Sequence, residues 1–149
     1  MVEVQPERLA VDTLLIANSV EVKDGLLYML GGGWTRTWPA GGQKYPFDRP
    51  LAIGVLLRVP WNETNATHKF AITVVDDDGA SVAPKIEGEF VAGRPHDLHQ
   101  GMSQLVPLAA TIPVSLKSHG IYHVRCVVDG EDGVLHSIEF EALERAPTK

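Results

Sequence analysis

Apolar and polar residues alternate along several segments of the chain. The alternation runs over residues 51–59, 68–74, 86–92, 121–128 and 137–142. Successive side chains of a β-strand point to opposite faces, so a period of two is typical of half-buried strands in an antiparallel sheet. No segment shows a sustained helical period of 3.6 residues. The pattern therefore predicts an all-β protein.

Turn signals separate these segments. Asp-Gly dipeptides, which tolerate the positive φ of tight connections, occur at Asp24-Gly25, Asp78-Gly79, Asp129-Gly130 and Asp132-Gly133. About eight strands at such spacing are typical of an antiparallel β-sandwich, either immunoglobulin-like or jelly-roll-like. The segment Gln104–Val114 contains Pro107 and Pro113, which cannot donate to a ladder. We therefore expect it to form an edge strand.

Length and charge narrow the class of protein. The 149 residues fit a single domain over 1–149, with residues 1–7 and 146–149 expected to fray. A net charge of −6 disfavours nucleic acid as a partner. No apolar run is long enough to span a membrane, and the acidic N-terminus does not resemble a secretory signal. We expect a cytoplasmic protein.

Motifs of catalysis and metal binding are weak. Cys126 is the single cysteine, and its place in an alternating segment favours a buried hydrophobic role. His96 and His99 share a loop, but no third ligand stands at a familiar spacing. No serine has the Gly-x-Ser-x-Gly context of a nucleophile elbow. The sequence thus predicts no enzyme, no cofactor and no metal.

Two long connections, 31–50 and 93–103, are the candidates for binding. The first combines aromatic and basic residues, the types enriched at binding hot spots. It could instead cap the open end of the sandwich as ordinary core. We expect a non-enzymatic interaction module that forms a dimer, or binds another protein, through this aromatic loop; the alternative is a small-ligand or metal-binding protein that uses both loops. The candidate contacts are Trp34, Arg36, Trp38, Tyr45, Arg49, Arg94, His96 and His99.

A further signal lies in six stretches of the chain: 17–20, 25–34, 57–65, 90–95, 120–122 and 128–130. Together they resemble a family of small uncharacterised bacterial proteins with a domain of unknown function. The resemblance covers most of the chain and implies a bacterial intracellular protein, without an activity, a cofactor or a catalytic residue.

The segment from Gly120-Ile121-Tyr122 to Val128-Asp129-Gly130 is also similar to the penultimate strand of immunoglobulin-like domains, where the tyrosine often anchors a corner. The chain departs from those domains because it lacks the paired cysteines and because Tyr122 stands four residues before Cys126 instead of two. The strand topology is left open between the two sandwich types.

Overall fold

The computed structural model describes residues 7–130 and 134–148. Within them the chain forms ten β-strands and one short 3₁₀ turn, η1. The elements are β1 (Ala10–Ala17), β2 (Ser19–Lys23), β3 (Leu26–Leu30), β4 (Arg36–Thr37), β5 (Phe47–Pro60), η1 (Trp61–Glu63), β6 (Thr67–Asp76), β7 (Ile86–Val91), β8 (Ser103–Leu116), β9 (Gly120–Val128) and β10 (Val134–Ala142).

The strands form two principal sheets and a ribbon. One sheet has the order β1-β5-β8 and the other has the order β4-β10-β9-β6-β7, while β2 and β3 pair only with each other. Every pairing is antiparallel except that of β4 with β10, which is parallel. The all-β, sandwich-like architecture expected from the alternation is confirmed. The strands outnumber the eight estimated from the pattern, because a two-residue strand such as β4 has no detectable alternation.

The core lies between the two principal sheets. The apolar set of β5 identified by alternation is at most 1% exposed, and so are Val124, Cys126 and Val128 of β9. Tyr122 shares their face, and its hydroxyl donates a hydrogen bond to the carbonyl of Ser118 at 2.6 Å. The tyrosine therefore anchors the turn that precedes β9, as the resemblance in this segment implied. The buried residues of β5 are Leu51, Ile53, Val55, Leu57 and Val59.

The β2–β3 ribbon covers the outer face of the three-stranded sheet. Its turn is the predicted hairpin at Asp24-Gly25, where both residues have positive φ, 51° and 75°. Gly54 of β5 faces the ribbon, and a Cβ built there would lie 2.7 Å from Cε of Met29. The missing side chain leaves room for Met29, and the outer face of β5 is buried at Ala52 and Gly54.

The remaining structural expectations concern the edge strand and the chain ends. β8 lies at the edge of its sheet, which confirms the position inferred from Pro107 and Pro113. Residues 146–148 are exposed and belong to no strand, whereas residues 1–6 and Lys149 lie outside the described residues. In the described part of the chain, no helix is long and apolar enough to cross a membrane.

Candidate functional site

Three aromatic side chains of the connection 31–50 pack onto the core, whereas most of its other residues are exposed. Trp34, Tyr45 and Phe47 are half-buried against the core cluster. The Trp34 ring meets Phe140 edge-on, with centroids 5.6 Å apart, and the Tyr45 and Phe47 rings lie 5.0 Å apart. The Tyr45 hydroxyl also donates to the carbonyl of Leu143. These side chains hold the connection 31–50, which we call the aromatic cap, against one end of the sandwich.

Two of the candidate contact residues in this connection face solvent. Arg36 is exposed in β4, and Trp38 is 38% exposed just after it. Between them, Thr37 is buried because β4 pairs with β10. This short strand places one basic and one aromatic side chain on the outside of the molecule.

Arg49 lies over Trp34 within the same cap. Its Cζ is 4.6 Å from the centroid of the Trp34 ring, within the range of a cation–π contact. Arg49 has the same parity as Leu51 and Ile53, so its side chain is directed to the core side of β5. Burial lowers the pKa of its guanidinium. Nε of Arg49 and Nε1 of Trp34 are both buried, and neither finds a hydrogen-bond acceptor among the described residues.

The second connection, 93–103, lies at the opposite end of β5. β5 begins with Phe47 beside the aromatic cap and ends with Pro60, which pairs with Ser103. Fourteen extended residues span roughly 45 Å. The structure therefore does not bring the two connections together, and a single site built from both loops is not formed.

Arg94 contacts Trp61 and Thr64, which lie at the same end of the molecule as the connection 93–103. Its Cζ stands 3.6 Å from the centroid of the Trp61 ring, Nε donates to Thr64 Oγ1 at 2.8 Å, and Nη2 donates to the Trp61 carbonyl at 3.0 Å. The guanidinium thus fastens the loop after β7 to η1. His96 and His99 are exposed in the same loop.

A polar cluster beside this end was not identified from the sequence. It consists of Glu63, His68 and Asp129, which each place one possible ligand atom within 4.8 Å of the others. His68 is only 3% exposed. Its Nδ1 lies 2.9 Å from Asp129 Oδ2, and its Nε2 lies 2.7 Å from the Glu63 carbonyl oxygen. The available signal was a histidine on the apolar parity of β6, since a buried polar ring requires partners.

The partners of His68 determine its protonation. A carbonyl oxygen and an ionised carboxylate only accept hydrogen bonds, so each ring nitrogen must donate. Burial lowers the pKa of His68, but the hydrogen bonds to Glu63 and Asp129 and the two carboxylate charges outweigh it, and the pKa is raised. The arrangement favours an imidazolium ion.

The same geometry bears on metal binding. A histidine ligates through the lone pair of a deprotonated ring nitrogen. Here both nitrogens of His68 already face oxygen acceptors, so a metal ion would have to displace a proton and the Glu63 carbonyl. The cluster is therefore better suited to fastening η1 and the β9 end to β6 than to coordination.

Cys126 and His123 have separate surroundings. Burial raises the pKa of the Cys126 thiol to about 11, so the residue has no nucleophilic character near neutral pH, as its pattern suggested. His123 points to the other face of β9, where Nε2 lies 3.1 Å from Asp77 Oδ1. The two side chains do not form a catalytic pair.

Among the described residues, three strongly exposed apolar side chains lie together on β3. The outward side chains of this strand are Leu26, Tyr28 and Leu30, which are 59%, 52% and 72% exposed. Leu27 and Met29 alternate with them and face Gly54. One edge of β3 pairs with β2, and within the described residues its other edge pairs with no strand.

The other sheet edges carry features that discourage further pairing. β8 contains two prolines, β7 carries Glu87 and Glu89, and β4 has only two residues. β1 is interrupted by a register shift between Val11 and Thr13. β3 reads Leu-Leu-Tyr-Met-Leu, with no charge, no proline and no glycine. β2, the other strand of the ribbon, carries Glu21 and Lys23. Among the strands of the described residues, β3 is therefore the exception.

Comparison with protein families places the chain in one of them. Residues 12–141 match the model of DUF6941, a family of unknown function. The match spans most of the chain, so the protein belongs to this family, as the resemblance over most of its length implied. No curated protein matches the sequence.

Proposed function

We propose that the protein is a non-enzymatic interaction module that pairs with a second copy of itself through the open edge of β3. The observation that carries the proposal is the uncharged apolar strand Leu26–Leu30, exposed on its outward face and open along one edge. Such an edge is a template for strand addition, and proteins normally block it with charge, proline or a bulge. The other edges of the two sheets are blocked or very short, which supports a retained role for this one.

A second copy is a suitable occupant because the strand is self-complementary. Two antiparallel copies that overlap fully place Tyr28 opposite Tyr28 and Leu26 opposite Leu30. Such pairing has twofold symmetry, the commonest symmetry of homo-oligomers. It continues the outward apolar row from one copy into the next, with no charge in the paired segment.

The expected affinity is modest, because strand pairing adds the second copy beside β3 and not over it. The outward faces of Leu26, Tyr28 and Leu30 stay in water, and each cross-strand side-chain pair contributes about 0.2–1 kcal/mol. Each new backbone hydrogen bond adds a net contribution of about 0.5–1.5 kcal/mol, whereas association costs about 4–15 kcal/mol. We expect a dissociation constant on the order of 0.1 mM.

Sedimentation velocity over low-micromolar to near-millimolar concentrations tests the proposal. Leu26→Lys should shift the protein to monomer, because it places a charge in the paired row. Leu135→Lys is the matched control, since Leu135 is also a leucine, is also 59% exposed, and lies on β10 away from the ribbon. A monomeric wild type, or equal effects of the two substitutions, would refute pairing through β3.

The aromatic cap provides the competing interface. Trp38 is its exposed aromatic residue, and Trp38→Ala should leave the dimer intact if β3 forms the contact. Loss of the dimer in this variant alone would assign the interface to the aromatic loop instead.

The proposal retains a cytoplasmic location, because a single buried thiol forms no internal disulfide and suits a reducing compartment.

A further inference from the structure

Within residues 7–130 and 134–148, two arginines stack on tryptophans, and the two stacks differ in whether the arginine donors have hydrogen-bond acceptors. Arg94 lies over Trp61, and its guanidinium donates to Thr64 and to a backbone carbonyl. Arg49 lies over Trp34, but within the described residues it forms no ion pair and no hydrogen bond. The donors of Arg94 therefore have acceptors within the protein, whereas Nε of Arg49 has none among the described residues.

The stack of Arg49 on Trp34 offers one positive charge and two hydrogen-bond donors, and all three would attract a negatively charged acceptor. The Arg49 guanidinium carries a positive charge on the core side of β5, and burial lowers its pKa. Nε of Arg49 and Nε1 of Trp34 are buried donors without acceptors. The Arg49 side chain is half-buried, so its charge is only partly removed from water, but a buried donor without a partner costs about 1–3 kcal/mol. What the cluster lacks is an acceptor with negative charge.

From this pairing of an uncompensated charge with two unused donors, we propose that the Trp34–Arg49 cluster binds an oxyanion group, a carboxylate or a phosphate, of a small ligand. Guanidinium forms charge-assisted hydrogen bonds with both groups. The Trp34 indole adds a donor that neither titrates nor moves far, since its ring is fixed against Phe140. The site is independent of β3 pairing, because it lies in the cap and not on the ribbon.

Proton–nitrogen NMR of the ¹⁵N-labelled wild-type protein tests the site without depending on the folding of a variant. Acetate, phosphate and chloride are titrated separately at constant ionic strength. The Trp34 Nε1–H and Arg49 Nε–H signals should shift together and saturate with acetate or phosphate, while the indole signals of Trp38 and Trp61 stay in place. A stronger response to acetate would indicate a site for a planar carboxylate, and a stronger response to phosphate would indicate a site for a tetrahedral oxyanion.

Three variants complete the experiment. Trp34→Phe assigns the indole signal and removes one donor, while Arg49→Met removes the charge and keeps the aliphatic stem. Arg49→Met should weaken anion binding about tenfold or more, because a charge-assisted hydrogen bond is lost. Arg94→Met should leave anion binding unchanged. Absence of a saturable shift in the wild type, a response to chloride equal to that of the oxyanions, or binding that survives Arg49→Met would overturn the proposal.

Discussion

The imidazolium of His68 makes a specific prediction about stability. Replacement of Asp129 by asparagine keeps the shape of the side chain but removes its charge and one of its two acceptor oxygens. In the native protein Oδ2 accepts from His68 and Oδ1 accepts from the backbone N–H of Lys69, at 2.9 Å and 3.0 Å. An amide has only one oxygen, so the variant satisfies only one of these donors.

The expected loss of stability in Asp129→Asn depends on how deeply His68 and Asp129 are buried. A hydrogen bond to a charged group contributes about 1.5–3 kcal/mol. His68 is almost fully buried, but the Asp129 side chain is 37% exposed, so solvent screens the pair and the lower end applies. We expect Asp129→Asn to lower the free energy of unfolding by about 1.5–2 kcal/mol, or the melting temperature by about 3–8 °C.

The effect should depend on pH in one direction. The pKa of His68 is raised in the folded state, so the stabilisation is complete below the unfolded pKa of about 6.5 and is lost as the pH rises through the folded value. The difference between wild type and Asp129→Asn should therefore be largest near pH 5.5 and smaller near pH 9. Urea unfolding followed by tryptophan fluorescence measures it at each pH.

A control separates this interaction from a general charge effect. Asp97 is an exposed carboxylate in the loop after β7, and Asp97→Asn should change stability little at any pH. If the Asp129→Asn difference is constant or grows with rising pH, His68 is not an imidazolium in the folded protein and the argument from its two acceptors is wrong.

Two further predictions concern the ribbon and the buried thiol. Gly54→Ala should destabilise the protein by about 1–3 kcal/mol, because the new Cβ would crowd Met29 and Leu27. Urea unfolding measures the loss of stability. Gly93→Ala is the control, since a Cβ at Gly93 meets nothing within 4 Å. An effect of Gly54→Ala no larger than that control would show that the ribbon does not pack on β5. Cys126 should react with a thiol reagent at neutral pH only after unfolding, since its pKa is about 11 and it is 0% exposed; rapid stoichiometric labelling of the native protein would contradict its burial.

The regular strands could be predicted from the sequence because their signal is local. A period of two over Leu51–Val59 identifies the face of β5 that must be removed from water, whatever its partner. The same holds for β9, whose apolar parity from Tyr122 to Val128 is buried as expected. Proline chemistry placed β8 at an edge for an equally local reason, since a missing N–H cannot serve a ladder.

The edge signal of β3 was also present in the sequence, as an uncharged apolar run beside an Asp-Gly turn. Its exposure depends on the fold, because the ribbon turns Leu27 and Met29 toward Gly54 and leaves Leu26, Tyr28 and Leu30 outside. No periodic pattern specifies whether a two-stranded ribbon joins a sheet or covers one.

The polar clusters depended on tertiary structure. The sequence placed His68 on the buried face of β6, but Asp129 reaches it only because β6 pairs with β9 in a register that sets Phe70 opposite Val128. Likewise, the sequence identified Trp34 and Arg49 as binding candidates, but the fold stacked one on the other and left their donors without acceptors. The alternation of apolar and polar residues shows which face of a strand is buried. Hydrogen-bond partners, by contrast, come from residues far apart in the chain, and those residues meet only when the strands have paired.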